Sequence, residues 1–208
     1  MSLINVMLGN DDFKSNLSFL IQQSRANGKK IYTVISNTTV QLNKDFALGG
    51  YSYVPPTPFI YKDWERKEQE HYPRQCRYDG VMSTGKTLRA YNIRQRKLTI
   101  AKELNRIFKK DLRKTILVTH APPYQSKLDH ISKTEHVGSK DIRRFIEKKQ
   151  PYLTLHGHIH ETVKISGQFK QKIKGTLCAS TGNDHKLQKP FVLSFNVYER
   201  EKIKRMQI

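Results

Sequence analysis

Hydrophobic and polar positions change period several times along the chain, and each change marks an element. Residues 2–8 form a short apolar run that stops at Gly9-Asn10-Asp11-Asp12, the length and ending of a buried strand feeding a loop. Phe13, Leu17, Leu20 and Ile21 recur at i, i+4, i+7 and i+8, which predicts an amphipathic helix with Asp12 capping its first turn and Asn27-Gly28 ending it. Residues 31–35 and 38–42 are β-branched and alternate, predicting two strands joined through Ser36-Asn37. Residues 49–58 hold two glycines and three prolines, a composition that reads as a stiff surface loop. From about 55 to 96 the pattern is polar, basic and weakly periodic, as expected of a flap or insertion on a single domain spanning 1–208.

The second half is more regular. Leu98, Ala101, Leu104, Ile107 and Phe108 give a clear helical stripe between about 97 and 110. Residues 115–119 are a continuous apolar run of the kind buried in the middle of an α/β sheet, and they end at His120-Ala121-Pro122-Pro123. Ser139 is placed to cap a helix with Ile142, Phe145 and Ile146 on one face, closed by Pro151. Residues 152–155 predict a strand ending in His156-Gly157-His158-Ile159-His160. Segments 162–166, 168–173, 176–180 and 191–198 alternate and are punctuated by glycine, predicting a β-rich ending. Strands alternating with helices and then followed by strands imply an α/β class.

Charge adds a constraint on partners. Lys and Arg number 38 against 18 Asp and Glu, a formal charge of +20 that suits phosphate-bearing partners of any size, from nucleotides to nucleic acid. With 37% hydrophobic residues the chain has enough apolar material to fold, and its apolar runs are far short of the ~18 residues of a spanning helix, so no membrane partner is expected. Cys76 and Cys178 lie 102 positions apart with no Cys-x-x-Cys spacing, which argues against a disulfide framework or thiolate zinc site and for a cytosolic setting. No secretory leader is read at the start.

Histidine is the commonest metal ligand, and asparagine or carboxylate oxygens serve hard and borderline ions. Three of the eight histidines fall within 156–160. In an extended segment His158 and His160 point to one side, while Gly157 allows close backbone approach. His120 ends a separate strand. If the strands beginning at Ile116 and Leu153 are parallel neighbours, their following loops open at one sheet edge, where α/β proteins place ligands. Taken singly, each motif has a plainer explanation as a turn, a helix cap or an exposed loop. His71, His130, His136 and His185 lie in polar contexts that read as solvated.

Together the three segments resemble the calcineurin-like metallophosphoesterase family. Gly9-Asn10-Asp11-Asp12 is similar to its Gly-Asn-His-Asp/Glu motif, His120-Ala121-Pro122-Pro123 to its single-His motif, and Gly157-His158-Ile159-His160 to its Gly-His-x-His motif. Val137-Gly138-Ser139 resembles its cytosolic bacterial and archaeal members. The resemblance implies a four-layer α/β/β/α sandwich that binds two divalent ions (Mn, Fe, Zn or similar) and a hydroxide between them. It also implies that Asn10, His120 and His158 ligate one ion, that His160 ligates the other, and that the substrate is a phosphomonoester or phosphodiester, from a phosphorylated small molecule or nucleotide. Two ions clamp the phosphoryl group and acidify the attacking water.

Two positions depart from the pattern. Where the family has a catalytic His after the Asn, this chain has Asp11, a poor general acid near pH 7 that could still orient water or substrate. The family's Asp-x-His and Gly-Asp-x-x-Asp motifs have no counterpart, since the eight residues before Gly9 contain neither Asp nor His. The expectation is a domain lacking its first βαβ unit, with its second metal site largely absent. The alternative is a basic nucleic-acid-binding or scaffold protein that keeps the fold without the chemistry. Its support is the stretch 86–114, where eleven Lys or Arg face only Glu103 and Asp111, and Tyr51, Tyr53 and Tyr61 as possible base-stacking rings.

Overall fold

The apolar run Thr115–Thr119 forms the middle of a six-stranded mixed sheet in a computed structural model, which describes residues 4–26, 29–69, 76–184 and 188–208. An N-terminal part comes first: strand β1 (Ile4–Val6), helix α1 (Asn16–Gln23), the two-residue pair β2 (Arg25–Ala26) and β3 (Lys29–Lys30), and β4 (Tyr32–Val34), which runs parallel to β1. The main sheet takes β5 (Thr38–Gln41), β6 (Ala47–Tyr51), β9 (Thr115–Thr119), β10 (Leu153–His156), β11 (Lys170–Ile173) and β12 (Thr176–Ser180), in the order β11-β12-β10-β9-β6-β5. Its four central strands are parallel and both edge strands antiparallel. Two hairpins lie outside it, β7 (Asp79–Thr84) with β8 (Thr87–Asn92) and β13 (Phe191–Ser194) with β14 (Lys204–Gln207).

The central strands are apolar on both faces because both faces are covered. Leu117 and Cys178 belong to a cluster with Ile100 and Leu104 of α2 (Ile100–Ile107) and Ile142, Phe145 and Ile146 of α3 (Lys140–Lys149). The alternate residues Ile116, Leu153, Leu177 and Ala179 face a second cluster with Ile35, Ile203, Leu193 and Met7, so the N-terminal strands and the β13–β14 hairpin lie over the opposite face. Helix α3 starts at its predicted Ser139 cap, whereas α2 starts at Ile100, inside the expected 97–110 span. The Thr99 side chain accepts from the Lys102 N–H and the Ser139 side chain from the Ile142 N–H, each satisfying a backbone donor that a helix start leaves open.

Several expectations are corrected. Residues 49–51 are a strand at the sheet's centre. A Cβ on Gly50 would lie 2.1 Å from the Ile35 carbonyl oxygen and one on Gly49 2.8 Å from the Phe108 ring, so the glycines permit close packing where they suggested a loop. Residues 52–57, including Pro55 and Pro56, are buried, so the loop after β6 reaches the surface only from Pro58 on. The basic region is no simple flap, because residues 62–66 lie inside the protein, with Trp64 at 0% exposure. The buried Lys62, Glu65 and Arg66 are paired internally. The Lys62 ammonium contacts both Glu65 carboxylate oxygens at 3.0 and 3.1 Å, and Arg66 meets Glu103 at 3.0 Å while covering the Tyr53 ring.

Residues 162–166 form helix α4 (Thr162–Ser166) rather than a strand. Its buried first residue bonds the loop before α3, with the Thr162 hydroxyl accepting from the His130 N–H and donating to the Lys127 carbonyl, while Gly167 ends it at φ +69°. Those tertiary bonds override a β-branched sequence. Helix α1 begins after Ser15, and Asp12 bonds the turn before it instead of capping it. The helix ends at Gln23, capped by Ser24 and followed by β2, earlier than the expected end at Asn27-Gly28; those two residues, His71 and His185 lie outside the described residues. His130 is buried, and His136 bonds Asp129 at 2.7 Å, so neither is simply solvated. Tyr51 and Tyr53 are core residues and unavailable for base stacking. Both cysteines are free thiols. Among the described residues no helix is long and apolar enough to cross a membrane.

Candidate metal centre at the sheet edge

Strands β9 and β10 are parallel neighbours, so His120 and the 156–160 segment emerge at the same edge of the sheet. Backbone bonding continues past the strand ends. The His120 N–H donates to the Tyr51 carbonyl at 2.9 Å and the Gly157 N–H to the His120 carbonyl at 3.1 Å, which fixes His120 between its neighbours. The chain then turns sharply. Ile159 N–H donates back to the Gly157 carbonyl at 2.7 Å across His158, whose φ is +66°. A positive φ at a residue with a side chain costs on the order of 1–3 kcal/mol, and such strain concentrates at functional sites. Its result is a reversal that turns His158 toward the end of β1.

Asn10 arrives from that side. Its side-chain oxygen lies 2.7 Å from His120 Nε2 and 2.8 Å from His158 Nδ1, and the two imidazole rings stand 5.2 Å apart. One carbonyl oxygen has two lone pairs and can accept from both N–H groups. Asn10 is buried, and its amide nitrogen donates to Asp11 at 2.9 Å, which fixes the amide with its oxygen facing the imidazoles. Gly9 is required beside this cluster because a Cβ there would lie 2.6 Å from His120 Cε1.

Residues outside the predicted set hold this loop in place. The Trp64 indole donates to the Asp12 carbonyl at 2.9 Å, Asp12 accepts from the Gly9 N–H at 2.7 Å, and Asp63 accepts from the Lys14 and Ser83 backbones. Sequence reading assigned 62–68 to a flap and missed this support. A bulky indole in a polar stretch was the one available signal. His156, beside the site, is structural, since its ring is held by the hydroxyls of Thr119 and Thr154 at 2.8 Å each.

Burial controls protonation. Desolvation pushes His120 down to about 4, with the Asp12 carboxylate opposing, and pushes His158 down to about 3, with the charges of His120 and His160 acting in the same direction. Both imidazoles are therefore neutral at physiological pH, the form that ligates a metal. Together with the Asn10 oxygen they fit part of one borderline ion's ligand set. His160, the fourth predicted ligand, is exposed, and no fit to a second ion follows from it. Among the described residues no group of three or more His, Cys, Asp or Glu side chains gathers as a metal site. Asp11, also exposed, contacts the cluster through Asn10.

No family model matches the chain. Over 57 residues it is 44% identical to the uncharacterized protein MJ1162 of Methanocaldococcus jannaschii, a stretch that covers 26% of each chain. A crystal structure with a TM-score of 0.61 and 13% identity matches 99% of this chain, which spans 65% of that protein. The crystal structure of TT1561 of Thermus thermophilus, with a TM-score of 0.54 and 13% identity, matches 98% of this chain and 71% of its own length. At these identities the structural matches carry the fold alone: the chain is a mixed α/β protein with a six-stranded mixed sheet, and it shares that architecture with proteins of known structure.

Proposed function

We propose that this chain is a metal-dependent phosphoesterase domain of the calcineurin-like type, with the helix-flanked main sheet and the smaller strands over its second face forming a four-layer α/β/β/α sandwich. The observation that carries the reading is the convergence of Asn10, His120 and His158, contributed by three loops far apart in sequence, within 2.8 Å of a common oxygen. These residues would hold one divalent ion. A bound ion would polarise the phosphoryl oxygen and acidify water. The chain itself supplies neutral imidazoles, a fixed amide and a close-fitting glycine. Asp11 is assigned as a positioning residue that orients the Asn10 amide and the water or substrate next to it. The formal charge of +20 favours approach of an anionic ester, whether a small phosphorylated molecule, a nucleotide or nucleic acid.

Calorimetric titration with Mn²⁺ and turnover of an aryl phosphate test the reading. Wild-type protein is expected to bind the ion and to lose at least about tenfold in affinity in His120→Ala and His158→Ala. No binding, or equal binding in all three, overturns it. A purely nucleic-acid-binding role has lost two of its three candidate stacking rings through the burial of Tyr51 and Tyr53, while Tyr61 is exposed. Affinity for a short oligonucleotide that falls steeply with salt in a protein inert toward phosphate esters would favour that role instead.

A further inference from the structure

A cavity of about 160 Å³ opens beside His158, between the loop after β6, the loop before α3 and the 158–161 turn. Its walls are mostly apolar: Pro55, Pro56 and Phe59 from the first loop, Ile131 and Val137 from the second, and Ile159 from the turn that also carries His158, with the Glu161 carboxylate of that turn as the acidic group in the lining. Nothing in the proposed metal chemistry uses it. We propose that this cavity receives the ring of an aryl phosphoester whose phosphoryl group sits at the Asn10–His120–His158 cluster, a substrate class that rests on the phosphoesterase reading and narrows it.

Size supports one ring. A dry cavity of about 150 Å³ lined by Leu, Ile and Phe is enough to bind benzene. Chemistry supports a ring with apolar faces, because most of the lining side chains are apolar. The Thr57 hydroxyl is already committed, donating to Glu65 and accepting from the Phe59 N–H at 3.2 Å. A polar group that cannot donate to Glu161 would lose water on entering the cavity without regaining an equivalent hydrogen bond.

The walls are built in advance. Pro55 and Pro56 have fixed φ. The second loop is tied by the Asp129 carboxylate, which accepts from the backbone of Gln125, Ser126 and Gly138 and from His136, while the Asp129 carbonyl accepts from the Val137 N–H at 3.1 Å. A preformed pocket spares the ordering cost that otherwise offsets burial of so small a group. Because His158 lines the cavity and belongs to the cluster, ring and phosphoryl group can be held on either side of one imidazole.

Methyl-labelled NMR with Mg²⁺ present tests this using three probes: phenol, phenylphosphonate and methylphosphonate. Phenol should shift the methyl signals of Ile131, Val137 and Ile159 saturably, and phenylphosphonate should bind at least about tenfold tighter than either phenol or methylphosphonate. In Val137→Phe, which fills the cavity, the ratio of phenyl- to methylphosphonate affinity should fall toward one. Ile131→Phe provides the same comparison should Val137→Phe fold poorly. Absence of phenol shifts, or phenylphosphonate no tighter than methylphosphonate, overturns the ring assignment and leaves the phosphoesterase reading standing. Phenol binding with neither phosphonate bound overturns the phosphate site itself and with it the aryl ester.

Discussion

Glu68 is the position at which the buried charges of this fold make their strongest prediction. The side chain is 2% exposed, and its Oε1 accepts from the Ser139 hydroxyl at 2.5 Å and from the Asp141 N–H at 3.0 Å, at the start of α3. Its Oε2 is buried without a partner among the described residues. Burial raises the carboxyl from 4.5 to about 7, against the opposing hydrogen bond from Ser139. The folded state therefore keeps a proton that the unfolded chain releases. The stabilisation is fully present below about 4.5 and is lost as pH rises to about 7. At about 1.4 kcal/mol per tenfold change, the whole effect is about 3 kcal/mol, most of which falls between pH 5 and 8. Glu68→Gln removes the ionisation and keeps the shape. Urea unfolding at pH 5, 6, 7 and 8 should show the variant close to wild type at the acid end and about 2 kcal/mol more stable relative to it at pH 8. Glu65, also raised to about 7 by burial, titrates equally in both proteins and cancels from the difference. Parallel profiles for the two proteins would refute the assignment, whatever their absolute offset.

Other consequences of the packing can be checked with single variants. Gly50→Ala puts a Cβ against the Ile35 carbonyl and should destabilise by more than about 3 kcal/mol or prevent folding, measured by thermal unfolding and soluble yield. Trp64→Phe removes the donor to the Asp12 carbonyl; a loss of about 1–2 kcal/mol in stability is expected, with weaker Mn²⁺ binding, and unchanged metal affinity would show that the indole does not position the loop. Arg66→Met leaves Glu103 buried without its cation and should cost about 3–5 kcal/mol, whereas adding Glu103→Leu should recover most of that loss in the same unfolding assay.

The legible parts of the fold are those stabilised locally or by continuous apolar runs. Strand β9, helix α3 and strand β10 follow directly from the run at 115–119, the Ser139 cap and Pro151, and they give the sheet edge where His120 and His158 emerge. Residues 62–66 were misread because hydropathy scores each charge alone. Lys62 and Glu65 satisfy each other inside the protein, and Arg66 is neutralised by Glu103, 37 positions away. Gly49 and Gly50 misled for a related reason, since the partners that require a missing Cβ, the Phe108 ring and the Ile35 carbonyl, are contributed by distant segments.

The candidate site divides along the same line. Its donor atoms were visible because polar residues directly after apolar strands are what a sheet edge presents to a ligand. What makes three such loops into one centre was not visible. Asn10 reaches the two histidines because Met7 and Ile35, next to β1 and β4, pack against the same face of the main sheet as Leu48 and Val118. The loop is then locked through a main-chain oxygen, the Asp12 carbonyl held by Trp64. A carbonyl is present at every residue, so a bond to it leaves no trace in the sequence of the acceptor. The chemistry of this site is written in side chains, and its geometry is maintained largely by backbone contacts from segments that, read alone, look like surface.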